Sequence, residues 1–243
     1  RMVVIISDAF RYEAAQELFA AMRGTDRYQA TMDSMLGILP SYTALGMASL
    51  LPHEQLAYAP DGSVQVDGKS SSGLEARKKL LEAVGGIAVK ASDLMEMKKE
   101  DGKAFFKPYR VIYVYHDQID QTADKGNEEK TFVAVRTTID EISALVRRAF
   151  TFNCNRALVT ADHGFLFQSA PPSDGHKNAI KTLPDGAVIA KKRYLIGTSL
   201  GENDGAISGD IAITAKATTD MGFWVPKGIN RFHFVGGSRF VHG

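Results

Sequence analysis

Residues 2–7, MVVIIS, decide the fold class, because apolar and mostly β-branched residues follow one another there without polar alternation. A strand with one buried face alternates apolar and polar residues, so this run predicts a strand that is buried on both faces. Such strands are typical of parallel sheets that are covered by helices. The next segment, RYEAAQELFAAMR (11–23), has the apolar spacing of an amphipathic helix, which supports that prediction.

The strand-and-helix order recurs along the chain. Helices are predicted at 43–52, 72–85 and 127–150, and strands at 86–90, 110–116 and 156–162, with a weaker candidate, YQATMDSML, at 28–36. A turn-rich segment at 59–71 predicts a hairpin or a loop, and residues beyond 167 predict loops and short added strands. We therefore expect an α/β fold of three layers, in which a mainly parallel central sheet has helices on both faces. We expect one domain over 1–243, cut from a longer protein, because the chain opens on one strand and stops directly after another.

The composition excludes several classes of protein. With 44% hydrophobic and 23% charged residues, the 243-residue chain is typical of a soluble globular domain. Its net charge of +1 argues against a chain whose whole surface binds polyanions. No apolar run approaches the ~18 residues of a membrane span, so no membrane partner is expected. The single cysteine, Cys154, excludes an intramolecular disulfide and fits a cytoplasmic location; it precedes a strand that is predicted to be buried, and we expect a structural thiol.

Residues of the kinds that bind metals follow several strands: Asp8 after MVVIIS; Asp117, Asp120 and Asp124 after VIYVYH; Asp162 and His163 after ALVTA; and His242 after RFHFVGGSRFV. In an open α/β sheet, ligands bind outside the carboxyl ends of the strands. Carboxylate and imidazole groups bind Zn or Mn, and these carboxylates are too many for one tetrahedral site. The pattern therefore predicts two divalent ions about 4 Å apart. The alternative is that each residue only caps a helix or lies on the surface; His116 and His233, within strand-like stretches, are interpreted as structural.

The segment LPSYTALGMASLLP (39–52) places two hydroxyl side chains, Ser41 and Thr43, at the start of a predicted helix. A helix N-terminus favours anions, including phosphate. A threonine there usually serves only as an N-cap. Beside a pair of metal ions, the same hydroxyl could lose its proton and attack phosphorus.

Five segments together resemble, in order, the motifs of the PglZ domain: VVIISDAFRYE (3–13), LPSYTALGMASLLP (39–52), YVYHDQIDQTAD (113–124), LVTADHGFLF (158–167) and FVHG (240–243). PglZ proteins belong to the alkaline phosphatase superfamily and occur in the bacterial BREX phage-resistance systems. The resemblance spans the chain from Asp8 to His242. It implies an alkaline-phosphatase-like α/β core with two metal sites and a threonine or serine nucleophile.

The resemblance also implies a role for each matching residue. One metal site takes Asp8, Thr43, Asp162 and His163, with Thr43 as the nucleophile, and the other takes Asp120, Asp124 and His242. The superfamily often has a histidine where Asp124 stands, so the second site is richer in oxygen; Zn is expected first, with Mn or Mg as alternatives. Ser41 is the alternative nucleophile, because the PSYT segment could match two positions out of register. Arg11 and Arg193 are expected to bind substrate phosphate, the alternatives being a surface ion pair and a solvated basic edge.

The expected function is a metal-dependent phosphoryl-transfer hydrolase, a phosphodiesterase or nuclease-like enzyme rather than a monoesterase. The phage-defence association favours nucleic acid or a nucleotide as the phosphate ester, and other phage-defence proteins as partners. The alternative is a non-catalytic metal-binding scaffold or signalling domain of a defence complex. A sulfatase is a third possibility, but it would need a cysteine or serine in a formylglycine motif, and Cys154 is far from the helix start in the sequence.

Overall fold

A computed structural model describes residues 1–24, 29–124, 130–170, 172–178, 180, 182–234 and 239–242, with the side chain of Asp124 outside that description. The chain divides into two compact units. The first comprises Arg1–Leu36 and Gly73–Gly164, and the second comprises Gly37–Ser72 and Phe165–Gly243. The single domain expected over 1–243 stays a prediction.

The helices of the described residues are α1 Tyr12–Arg23, α2 Thr43–Ser49, α3 Gly73–Glu82, α4 Ala91–Glu96, α5 Lys99–Phe106, α6 Gln118–Asp124, α7 Thr131–Thr151 and α8 Ile211–Thr214. The strands are β1 Met2–Ser7, β2 Leu56–Tyr58, β3 Val64–Val66, β4 Lys69–Ser70, β5 Gly86–Lys90, β6 Val111–His116, β7 Arg156–Thr160, β8 Phe165–Phe167, β9 Lys177–Asn178, β10 Ala187–Ala190, β11 Leu195–Gly197, β12 Ala206–Asp210, β13 Ala217–Thr218, β14 Gly222–Pro226, β15 Arg231–Phe232 and β16 Phe240–His242.

The first unit is built on a parallel sheet of four strands in the order β5-β6-β1-β7. The central strand β1 is buried at every residue from Val3 to Ser7, so both of its faces are covered, as the apolar run predicts. The expected α/β fold with a mainly parallel central sheet is confirmed. Because the strands run in one direction, the residues that follow β1, β6 and β7 all lie at the carboxyl-terminal end of the sheet.

Strand β7 is the edge strand of this sheet, and the prediction that it is buried is wrong. Within the described residues it pairs only with β1, and its first three residues are exposed, including Leu158 at 47%. A short apolar run is similar in central and edge strands, so its composition does not reveal its place in the sheet.

Two smaller expectations also fail. Residues 29–36 form neither helix nor strand, and Leu36 there is almost fully exposed; apart from Thr31, the segment has no β-branched residue to favour a strand. The apolar spacing of 127–150 also predicts that Phe132 shares the buried face of the helix. Helix α7 buries Val135, Ile139, Ile142 and Leu145 on that face, but Phe132 in its first turn is 51% exposed.

The second unit consists mainly of short strands. A four-stranded antiparallel sheet has the order β10-β11-β14-β12, and its core includes Leu195, Trp224 and Phe232. Of the two alternatives expected at 59–71, a hairpin or a loop, the structure has the hairpin, since β3 pairs with β4 in antiparallel fashion. Strand β16 pairs antiparallel with β8, with His242 opposite Phe165.

No helix in the described part of the chain is long and apolar enough to cross a membrane.

Candidate metal centre

Asp8 is held at the end of β1 by the backbone on both sides of it. Its own N–H donates to the carbonyl oxygen of His116 at 2.7 Å, and the N–H of Ala9 donates to Oδ1 of Asp162 at 3.3 Å. Ala9 has a φ of 60°, a left-handed conformation that costs a residue with a Cβ on the order of 1–2 kcal/mol. Strain of this kind is concentrated at functional sites, and here it accompanies the turn that joins Asp8 to Asp162.

Three of the predicted ligands, Asp8, Asp162 and His163, lie together in the first unit. One ligand atom from each lies within 4.8 Å of the others, and each residue is at most 7% exposed. Asp8 follows β1, whereas Asp162 and His163 follow β7, which is hydrogen-bonded to β1. Parallel pairing of these two strands therefore brings together side chains that are about 150 positions apart in the sequence.

The hydrogen bond that His163 makes with one ring nitrogen directs the other, Nε2, at the two carboxylates. Nδ1 lies 2.7 Å from the carbonyl oxygen of Gly164, and because a carbonyl can only accept, Nδ1 carries the proton. In the neutral ring Nε2 then carries a lone pair. This atom lies 3.2 Å from Oδ1 of Asp8 and 3.5 Å from Oδ2 of Asp162. Apart from this ring nitrogen, neither carboxylate oxygen has a hydrogen-bonded donor among the residues that the structure describes. Three acceptors facing one buried point fit a divalent cation.

The pKa values of His163 and Asp162 indicate that this buried site favours a bound positive charge. Burial lowers the pKa of His163, but the hydrogen bond to Asp8 and the charges of Asp162 and Asp8 outweigh burial and raise the pKa to about 9. Burial raises the pKa of Asp162, and the charge of Asp8 adds to that rise while His163 opposes it. Without a metal, a proton on His163 therefore supplies the positive charge, and a metal ion competes with that proton.

The residues of the predicted second metal site are less fully described. Asp120 lies in α6, is half-buried, and has a ligand atom within 4.8 Å of a ring nitrogen of His163. Asp124 ends α6, but its side chain lies outside the described residues. His242 ends β16 in the second unit, and its ring contacts that of Tyr194. Asp117 is exposed and accepts a hydrogen bond from Nε2 of Gln121, which fits the alternative of a helix cap.

Thr43 is the first residue of α2 and is partly buried, with Tyr42 as the N-cap residue. Ser41 lies two residues earlier and is also partly buried. Both residues belong to the second unit, and the choice of Thr43 over Ser41 stays a prediction.

Arg11 and Arg193 are both engaged with other parts of the protein. Arg11 is the N-cap residue of α1 and forms an ion pair with Glu13. It also packs beside the metal centre, since a Cβ added to Gly164 would lie 3.3 Å from the Cβ of Arg11. Nη1 of Arg193 donates to the carbonyl oxygens of Gly228 at 2.9 Å and Asn230 at 2.6 Å, which ties it to a turn. Their binding of substrate phosphate stays a prediction.

A hydrogen-bonded chain, Ser7–His116–Glu141, runs from the buried end of β1 to a half-exposed carboxylate, and the sequence predicts of it only a structural role for His116. Nε2 of His116 lies 2.8 Å from Oε2 of Glu141, and Nδ1 lies 2.9 Å from Oγ of Ser7. An ionised carboxylate only accepts, so Nε2 donates to Glu141, and in the neutral ring Nδ1 accepts a hydrogen bond from the hydroxyl of Ser7. Ser7 is fully buried and cannot meet a substrate, so the chain is structural and fixes β1 next to Asp8. The sequence feature that could have indicated this chain is that Ser7 and His116 each end a strand just before an aspartate.

Comparison with known proteins gives a consistent result. The family model described as the BREX system PglZ alkaline phosphatase-like domain matches residues 1–243. The alkaline phosphatase-like protein BrxZ of Escherichia coli O9:H4 (strain HS) is 44% identical over 247 residues, and the alkaline phosphatase-like protein PglZ of Bacillus cereus (strain H3081.97) is 32% identical over 250 residues. Each match covers 100% of this chain and 29% of the relative, so the chain spans less than a third of the length of these two proteins.

Proposed function

This chain belongs to the PglZ family of BREX-system alkaline phosphatase-like domains, and on that premise we propose that it is a metal-dependent phosphoric ester hydrolase. The observation that carries the proposal is the buried group of Asp8, Asp162 and His163, in which Nε2 faces two carboxylate oxygens. Such a group is costly to bury unless a cation neutralises it.

We propose that two divalent ions bind, with Zn favoured and Mn or Mg as alternatives. Asp8, Asp162 and His163 hold the first ion, together with the hydroxyl of Thr43, and Asp120, Asp124 and His242 hold the second. Bound divalent ions lower the pKa of a coordinated hydroxyl and stabilise the oxygen that leaves phosphorus. Imidazole nitrogen and carboxylate oxygen suit Zn, and the oxygen-rich second set also suits Mn or Mg.

In the proposed reaction Thr43 is the nucleophile. Its Oγ1 forms a bond to phosphorus and loses its proton to solvent, while the bond from phosphorus to the ester oxygen breaks and the departing alcohol takes up a proton. Water then cleaves the phosphothreonine, which releases the product and restores the hydroxyl. Arg11 and Arg193 are proposed to bind the phosphate oxygens.

The family's place in a phage-defence system favours a phosphodiester, such as nucleic acid or a nucleotide, over a monoester. It also favours other defence proteins as partners of the full-length protein. We place the protein in the cytoplasm, since its single cysteine, Cys154, is a buried thiol that fits a reducing compartment.

Hydrolysis of bis-p-nitrophenyl phosphate tests the proposal. Protein purified without chelator and then supplied with Zn, Mn or Mg should release p-nitrophenol, and EDTA should stop the release. Metal binding without turnover of any phosphate ester by the wild-type protein would favour the non-catalytic scaffold instead.

A further inference from the structure

Three aromatic rings of the second unit connect Thr43 and His242, two residues of that unit to which the proposed function gives chemical roles. Tyr42 directly precedes Thr43 and is the N-cap residue of α2. Its ring stacks on that of Tyr194, with centroids 4.8 Å apart and planes at 29°. The ring of Tyr194 in turn meets the imidazole of His242 edge-on, with centroids 6.0 Å apart and planes at 90°. The start of α2 and the end of β16 are thus joined through one tyrosine.

The rings of this group are fixed by their surroundings. Tyr42 and Tyr194 are each 5% exposed, and the hydroxyl of Tyr42 is hydrogen-bonded to that of Tyr58 at 2.8 Å. Tyr194 lies at the turn between β10 and β11, where its carbonyl oxygen accepts from the N–H of Lys191 at 2.8 Å. Stacked and edge-to-face contacts at these separations are the arrangements that aromatic pairs prefer.

The hydroxyl of Tyr194 is uncharged in this setting. Burial raises the pKa of Tyr194, and the nearby Tyr42 adds to that rise, so the hydroxyl stays neutral at physiological pH. The side chain is also buried away from solvent. The contacts of Tyr194 with Tyr42 and His242 are made by its ring.

We propose that Tyr194 is a positioning residue that holds the imidazole of His242 in its metal-binding orientation and supports the start of the helix that carries Thr43. The inference rests on the proposed function, which makes His242 a metal ligand and Thr43 the nucleophile. Strand β16, which carries His242, is three residues long and pairs with β8. A side chain that packs against a ligand fixes its rotamer before the metal binds, and loss of such support costs metal affinity.

The test compares Tyr194→Phe, which keeps the ring, with Tyr194→Leu, which removes it. Zn and Mn binding is measured by isothermal titration calorimetry, and kcat and KM with bis-p-nitrophenyl phosphate. Tyr194→Phe should match the wild type within about twofold, because only the hydroxyl is lost. Tyr194→Leu should bind the ion that His242 holds on the order of tenfold to a hundredfold less tightly. Its kcat should fall, and excess metal should restore most of the rate, which would not happen after a general loss of folding.

A matched control separates positioning from core packing. Phe223 is a buried aromatic residue of β14 in the same unit, so Phe223→Leu should lower the melting temperature while leaving metal affinity and kcat close to wild type. Should Tyr194→Leu fail to fold, Tyr194→Met replaces it, because methionine fills the volume without a ring. The inference is overturned if the folded ring-free variant binds both ions as tightly as wild type, or if Phe223→Leu weakens metal binding equally.

His242→Ala distinguishes failure of this inference from failure of the proposed function. If His242→Ala weakens metal binding and the Tyr194 variants do not, only the positioning role of Tyr194 is wrong. If His242→Ala binds metal like wild type, the proposed ligand set is wrong, and the inference falls with it.

Discussion

Nε2 of His163 lies 3.2 Å from Oδ1 of Asp8, and both atoms are buried. Because Nδ1 of the same ring donates a hydrogen bond to the carbonyl oxygen of Gly164, Nε2 of the neutral ring presents its lone pair to this carboxylate oxygen. Two acceptors at that distance repel unless a proton or a metal ion lies between them. The proposed function depends on the second of these possibilities.

Removing one carboxylate of the centre should weaken metal binding strongly. Asp162→Asn leaves the size of the side chain unchanged but removes a negative charge that faces Nε2 of His163. Changes to residues that hydrogen-bond a metal ligand cost ~10–100-fold in metal affinity. Loss of the charge of a ligand itself should therefore cost at least about 100-fold. Zn affinity measured by competition with a chromophoric chelator checks this. Asp117→Asn is the matched control, since Asp117 also follows a strand of the parallel sheet but is exposed, and this variant should bind Zn as the wild type does.

Metal affinity should rise with pH. The pKa of His163 in the metal-free protein is raised to about 9, above the ordinary 6.5, so Zn must displace a proton to reach Nε2. Affinity should therefore increase from pH 6 to about pH 9 and then level off. The raised pKa of Asp162 acts in the same direction. Calorimetry in buffers of different ionisation enthalpy should detect proton release, and an affinity that is constant between pH 6 and 9 would contradict the assignment of His163.

The raised pKa of His163 also makes the stability of the metal-free protein depend on pH. A histidine whose pKa is raised on folding stabilises the metal-free protein fully below about pH 6.5, and that contribution is lost as pH rises through about 9. Added Zn should therefore raise the melting temperature more at pH 8.5 than at pH 6. Thermal denaturation with and without Zn at the two pH values measures this difference.

Thr43→Ala should abolish metal-dependent hydrolysis of bis-p-nitrophenyl phosphate without unfolding the protein. A loss on the order of a hundredfold or more is expected if a covalent step is removed. Thr43→Ser should keep part of the rate, because a hydroxyl remains at the start of α2. Ser41→Ala is the control: full activity in Thr43→Ala together with an inactive Ser41→Ala would transfer the nucleophile to Ser41.

The chain Ser7–His116–Glu141 should contribute to stability in a graded way. His116→Ala leaves a cavity and the buried Ser7 hydroxyl without its partner, and should cost about 2–4 kcal/mol. Ser7→Ala should cost about 1 kcal/mol, and Glu141→Gln less than about 1 kcal/mol, because the amide oxygen can still accept at a half-exposed position. Urea denaturation measures all three; equal losses would mean that the chain does not support β1.

The fold class and part of the metal centre could be predicted because they depend on local pattern. The apolar run of β1 indicates burial on both faces, and parallel strands bring the residues that follow them to one edge, which places Asp8 beside Asp162 and His163. What could not be predicted depends on contacts between distant segments. The exposed edge position of β7 depends on which strands pair with it, and the contact of Tyr194 with His242 joins residues 48 positions apart.

The central claim is that Asp8, Asp162 and His163 bind a divalent ion, and the most direct test is a crystal structure of Zn-supplied protein with anomalous scattering recorded at the zinc edge. The account predicts an anomalous peak about 2.0–2.2 Å from Nε2 of His163 and from one oxygen each of Asp8 and Asp162. It is contradicted if Zn-saturated crystals show no peak there and Nε2 remains in direct contact with the two carboxylates.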